Sequence, residues 1–460
     1  MEYVLSFMLL ALNLVNYQVK LNSAVFFLAG AVIMVALFCV VMKKTGNFLA
    51  TCLILMVYSW QVSWYNIFGN PTSSLQLPWL YILGAMIFVY GVCNIRNSLK
   101  RSYSFAALFA FTMFFILFLY PLFISQTFSS ALKEFIIIAF FVVVVLVCYL
   151  NKNSVGKDVY EHFKRALIWA VVLTSVFILI QYVLYTYMDI RLFKIAVRLS
   201  FKGYQTSFYL LMEDHSSATI MLGCAAFYVL DGLKKKNAWY YVPSIVIILI
   251  SMAITSRRTS TVSFIIVAAV YVIFHYRNFS QKLVYTVLLG VGCIAMLYYL
   301  LIARPVNDIS QIFSDNGRFE GYVAALGIIF NHPFGVGYDD NYLASMMPHF
   351  VSPHNTVLRW AALGGILFAI ILVTIVVTCI VSAYKKKLSA EFWAIVYSFF
   401  AANLIPDILA ARFFVIICSM ALLAKKYDRE GEGYFLAPIK KRKRPADVLP
   451  AEALQSKNSS

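Results

Sequence analysis

From Met1 to Ala424 the chain is a succession of long apolar runs, each cut by a charge cluster or by a Pro, Gly or Asn break. Phe135 to Leu150 is sixteen residues without a charge. A helix that crosses the hydrocarbon core of a bilayer needs about 20 predominantly apolar residues. Only helices and closed barrels satisfy every backbone N–H and C=O inside lipid, and runs of this length predict helices. The chain therefore reads as an all-α polytopic membrane protein. Composition agrees: of 460 residues, 62% are hydrophobic and 13% charged, against roughly 25% charged in a soluble domain. A soluble enzyme and a disordered chain are both excluded.

The runs predict about 14 transmembrane helices, near 3–19, 24–42, 48–68, 79–93, 103–125, 135–150, 166–188, 208–230, 238–255, 261–275, 283–302, 356–382, 391–405 and 408–424. The first is short for a span and contains Asn13 and Asn16. Met1 to Val19 has no basic n-region and no small-residue cleavage site, so a retained helix is expected rather than a cleaved signal. Residues 1–424 form a single transmembrane domain, and 425–460 a basic, disordered tail containing Lys440-Lys441-Arg442-Lys443-Arg444.

The net charge of +18 follows the same plan. Basic residues concentrate in the loops after even-numbered spans, which hold 17 of the 38, and in the tail, which holds 9. By the positive-inside rule these segments and both termini lie in the cytoplasm. The basic excess thus needs no nucleic-acid partner. All eight cysteines fall in apolar runs without a Cys-x-x-Cys pair, as expected of small core residues. No Gly-rich phosphate loop of the P-loop kind is present, and no His/Cys/Asp/Glu spacing matches a metal motif. No metal or other cofactor is expected.

Two outer segments are long enough to carry chemistry, 189–217 and 303–354, the second between spans 11 and 12. Eight of the twelve basic residues on this side are arginines, among them Arg191, Arg198, Arg257, Arg258, Arg318 and Arg359. Arginine offers phosphate a planar bidentate fork. Arg257 and Arg258 stand in a short polar break, Thr255 to Ser260, between two apolar runs, where ionisable groups are costly and so usually functional. A helix is expected from Asp315 or Asn316 through Ile329, ending before His332-Pro333, with Arg318 in its first turn. Pro333-Phe334-Gly335-Val336-Gly337 follows, its glycines allowing close backbone approach. His354 stands at the mouth of the twelfth span, where an imidazole can take a proton from a hydroxyl, and Asn355 can cap the helix or orient the ring. His215 is a further outer histidine to which the residues assign no role.

Arg318 with Tyr322 four residues on, then His332 to Gly337, His354-Asn355 with Leu358, and Gly364-Gly365 together resemble the signature of the O-antigen ligase/polymerase superfamily, which includes Wzy-type polymerases and WaaL-type ligases. Ser256-Arg257-Arg258 resembles the Ser-Arg element upstream in that family. The resemblance covers roughly 250–375. It departs at Thr356-Val357, where an aromatic is common, and in the doubled arginine. It implies a GT-C-like glycosyltransferase architecture, with the two outer loops capping the active site, in the bacterial cytoplasmic (inner) membrane. It also implies an undecaprenyl-diphosphate-linked oligosaccharide as donor and no metal or nucleotide. Arg257 or Arg258, with Arg318, would hold the diphosphate, and Arg191 and Arg198 would help to bind the diphosphate or glycan. His354 would deprotonate or orient the acceptor hydroxyl, and Asn355, Tyr322 and Tyr338 would position glycan. Membrane lipids, a chain-length regulator and a flippase are the expected partners. Capsule or O-antigen polymerase is the first reading and glycan ligase the second. A lipid-linked oligosaccharide flippase is the rival of another class, disfavoured because the charges cluster on one side rather than mid-span.

Overall fold

The computed structural model describes residues 1–63, 65–69, 77–99, 117–193, 195–200, 203–208, 210, 215–233, 241–255, 258–275, 318–348, 352–404, 408–409 and 412–426, with isolated positions between 283 and 294. The helices are α1 (Glu2–Val19), α2 (Ser23–Thr45), α3 (Phe48–Trp60), α4 (Trp79–Leu99), α5 (Phe128–Leu150), α6 (Lys157–Met188), α7 (His215–Gly232), α8 (Tyr241–Ile254) and α9 (Arg258–His275). They continue with α10 (Arg318–Asn331), α11 (Asp340–Ser345), α12 (Thr356–Gly364), α13 (Ile366–Lys385), α14 (Ser389–Ala402) and α15 (Phe414–Leu423). Four of them, α2, α5, α6 and α13, are long and apolar enough to cross a membrane, and several more are apolar but shorter. The protein is a helical membrane protein. Much of the expected spans 103–125 and 283–302, and the tail beyond 426, lie outside the described residues.

Local chemistry sets the helix ends. Asn22 and Asn47 accept the backbone N–H of Ala24 and Ala50 and so cap α2 and α3. Lys20, Gly46 and Asp189 end their helices in the left-handed conformation. The asparagines of the first run are satisfied: Asn16 donates to Gly69 O and accepts from Leu21 N, and Asn13 donates to Leu9 O. The two asparagines of this run are thus hydrogen-bonded, one within the helix and one to the segment around Gly69.

Helices α3 and α15 form the centre. Every residue of α15 is buried, as is all of α3 after Phe48. Phe414 stacks on Phe141 of α5, and Trp60 meets Phe413 edge-on. Around them, α14 packs on α7, α9, α13 and α15. Its Tyr397 joins Phe227 and Phe264 in an aromatic cluster.

The charge pattern has a geometric counterpart. Glu2 pairs with Lys44 and His162, each at 3.1 Å, and Lys164 pairs with Asp231 at 3.4 Å. Val155 bridges Ala424, and Lys386 donates to the carbonyls of Ala421 and Leu422. Segments expected on one side of the membrane therefore share one end of the bundle. At the other end Gln18 donates to the Arg191 and Leu192 carbonyls, and Thr127 N donates to Asp339.

Two expectations are corrected. The segment 189–217 is not simply loop: Ile195–Ser200 (β1) and Gly203–Phe208 (β2) pair as an antiparallel hairpin with Arg198 opposite Gln205. The all-α description therefore holds for the spans but not for this outer element, and the eighth span begins at His215 rather than 208. The expected single span 356–382 is two helices, α12 and α13, broken at Gly365 with φ +90°.

Candidate functional site

The polar break between α8 and α9 is tied down from three directions. The Thr255 hydroxyl lies 2.7 Å from that of Thr219 on α7. The Tyr397 hydroxyl of α14 donates to Ser260 O at 3.1 Å. Thr259 accepts from Arg318 Nη2 of α10 at 3.4 Å. Ser256 and Arg257, and the side chain of Arg258, lie outside the described residues, but both of their flanks are fixed.

Helix α10 starts at Arg318 and ends at Asn331, directly before His332-Pro333, where a proline disfavours helix in the preceding residue. Residues four apart share a helix face, so Arg318 and Tyr322 point the same way. The Tyr322 hydroxyl donates to His354 O at 3.0 Å. One face of α10 therefore makes two separate contacts, Arg318 to Thr259 of α9 and Tyr322 to the His354 backbone ahead of α12. A guanidinium has five N–H donors in a fixed fork, more than one threonine hydroxyl can use.

The glycine motif clasps α10 to α12. At the Gly365 break the carbonyls of Ala362 and Leu363 have no α-helical partner. They accept instead from Val336 N at 2.9 Å and Gly337 N at 3.0 Å. Ile366 N, displaced from the helix ladder, donates to Pro333 O at 3.0 Å. This pairing demands φ +85° at Gly335 and φ +95° at Gly337. A Cβ at Gly335 would lie 2.3 Å from Leu363 O. Gly335→Ala should therefore cost more than about 2 kcal/mol, from left-handed backbone and a clash with a backbone atom together. A thermal unfolding midpoint in detergent lowered by several degrees checks this. Gly327→Ala, mid-helix with open space around its Cβ, is the control that should keep or slightly raise the midpoint.

Beside the clasp, Asn355 caps α12 by accepting Leu358 N at 3.0 Å, the capping role among the two foreseen for it. Its side-chain oxygen is thus directed at the backbone. One turn on, buried Arg359 pairs with Glu134 of α5 at 3.0 Å and Asp340 of α11 at 3.1 Å. Ser352 donates to the same Asp340 oxygen at 2.6 Å. Burial acts to raise the Asp340 pKa, but the Arg359 charge, the Ser352 and Arg359 hydrogen bonds and the Lys133 charge overcome it and hold the group below the ordinary carboxylate value. Asp339 accepts Thr127 N and Tyr342 N with its two oxygens and so caps both α5 and α11. The pattern of neither Arg359 nor Asp339 revealed these partners, because Glu134 and Thr127 lie more than 200 residues away in sequence.

The remaining expected site residues fare differently. Tyr338 is fully buried, donates to Phe118 O at 3.0 Å and packs among Phe118, Phe135 and Phe368. This corrects its expected role: it is a core residue, not a glycan contact. Arg191 is exposed and lies over the Tyr185 ring at 5.5 Å, so its described contacts are with α6 and α1 rather than with α10 or α12. The side chains of Arg198 and His215 lie outside the described residues.

Comparison with protein families matches residues 243–373 to the family described as O-Antigen ligase. That range holds the polar break, α10, the clasp, His354 and the Gly365 break, and it coincides with the stretch whose motifs carry the resemblance. Neither curated proteins nor solved structures gave a match.

Proposed function

We propose that this chain, whose residues 243–373 carry an O-antigen ligase family domain, is a polymerase that joins lipid-diphosphate-linked oligosaccharide repeat units at the outer face of the cytoplasmic membrane. The family points to a glycosyltransferase-like enzyme of polymerase or ligase type. The reading is supported by two contacts on one face of α10: Arg318 reaches Thr259 of α9, and Tyr322 donates to the backbone carbonyl of His354. These contacts set the first turn of α10 beside the break that holds Arg257 and Arg258, and the His354 backbone one turn along the same face.

In this reading the acceptor sugar hydroxyl attacks the anomeric carbon of the donor. The new glycosidic C–O bond forms as the bond from the anomeric carbon to the diphosphate oxygen breaks. The hydroxyl proton passes to the His354 imidazole, and the lipid diphosphate leaves with both bonding electrons. Arg318, with Arg257 or Arg258, neutralises the charge that gathers on the leaving group. Donor and acceptor are both lipid-linked repeat units, so repetition lengthens the chain.

Purified protein in vesicles, given a synthetic undecaprenyl-diphosphate-linked repeat unit without nucleotide, should yield a ladder of products on a sizing gel. The family's description favours a second reading, a ligase. In that case the repeat unit alone gives no ladder, and adding a lipid A core or protein acceptor gives a single transfer product. Failure of both arms with an authentic donor would remove the glycosyltransferase reading.

A further inference from the structure

Helix α10 turns one face to the site and leaves another largely exposed. Its site face holds Arg318, Tyr322, Ala325 and Ile329, the last two buried. Its open face holds Phe319, Val323, Leu326 and Phe330, spaced i, i+4, i+7 and i+11, which is one stripe of a helix. These are 69%, 55%, 42% and 78% exposed. Phe334, 63% exposed, extends the stripe into the clasp. Glu320 and Asn331, both exposed, flank it on the edge away from Arg318.

The clasp says what covers this stripe. Gly365 packs against Phe334, and Ile366 N is bonded to Pro333 O. Ile366 begins α13, a helix long and apolar enough to cross a membrane, whose first turns expose Ile366, Leu367 and Ile370. The exposed apolar residues of α10, Phe334 and the exposed start of α13, a helix long and apolar enough to cross a membrane, are thus brought together by the clasp. We propose that α10 is an interfacial helix whose Phe319–Phe330 stripe lies in the bilayer, so that acyl chains of membrane lipid are its partner. Such helices bury their apolar face about 5–10 Å into the boundary between headgroups and acyl chains. The helix N-terminus, and Arg318 with it, is then held at the depth of lipid phosphates. A phosphate carried on a lipid reaches Arg318 by sideways diffusion in the membrane, without leaving it.

The inference is tested in the intact chain without any glycan donor, so its outcome is separate from that of the proposed reaction. A genetically encoded fluorescent aromatic amino acid replaces Phe330, Val323 or Asn331 in turn, with Leu367 on α13 as the lipid-facing standard. Each protein is placed in phosphatidylethanolamine/phosphatidylglycerol vesicles. Quenching by acyl-chain-brominated lipid is compared with quenching by aqueous iodide. The expected result is a lipid-to-iodide quenching ratio at Phe330 and Val323 several-fold above that at Asn331 and approaching that at Leu367. A ratio at both stripe positions equal to or below that at Asn331 would mean that water covers the stripe, and would overturn the proposal.

Discussion

Arg318→Ala should slow glycan transfer by roughly two to three orders of magnitude, the usual cost of removing one donor aimed at charge that develops in the transition state. The loss should come without a loss of fold. Arg318 sits in the first turn of α10, only partly buried, and its described partner is the Thr259 hydroxyl at 3.4 Å. That contact is long and contributes little to stability. The helix itself is held by Ala325, Ile328 and Ile329 and by the clasp. Arg318→Lys keeps the charge but loses the bidentate fork, so it should recover only part of the rate. Initial rates in vesicles across a range of lipid-linked donor, with thermal unfolding as the control, make the check. An alanine variant within a few-fold of the parent would take Arg318 out of the mechanism.

His354→Ala should reduce transfer by roughly two to four orders of magnitude, the range that a positioned general base contributes. Its signature should differ from that of Arg318. In the proposed mechanism His354 acts on the acceptor, so His354→Ala should lower kcat and leave donor binding, whereas Arg318→Ala should also weaken the hold on the diphosphate. The local fold should survive the change. The contact from Tyr322 goes to the His354 backbone carbonyl, which any residue supplies, and the cap of α12 is Asn355. If His354 only shaped the loop, a side chain of similar bulk such as His354→Gln would restore the rate. Restoration by glutamine would therefore remove the general-base role. Loss in both variants, with unchanged thermal midpoints, supports it.

The parts of this molecule that were legible in its sequence are those governed by local rules. Helix α10 ends where His332-Pro333 predicted, because proline restricts the residue before it. Glu2, Lys44 and His162 meet at one end of the bundle, as the alternation of loop charges requires. The hairpin also had a signal that went unread. Ile195, Val197 and Leu199 alternate with other residues on the approach to Lys202-Gly203, a period of two rather than 3.6. What stayed hidden depends on distant partners. Nothing local to Tyr338 tells that its hydroxyl meets Phe118 O. Nothing local to Arg359 names Glu134 as its counter-ion. The glycines at 335 and 337 announced a close backbone approach, but that they approach the broken end of α12 is a property of the fold.

The doubled glycine at 364–365 within an apolar run has the look of a hinge. The pairing across it argues the opposite. With Val336, Gly337 and Ile366 N–H groups all engaged, bending at Gly365 would strip several backbone bonds at once in a place where water cannot replace them. The segment 333–337 and the start of α13 are thus held together as one piece. In the proposed reaction, room for the glycan has to come from elements not welded in this way. The hairpin 195–208, which meets the bundle mainly through α6, is the described element freest to provide it.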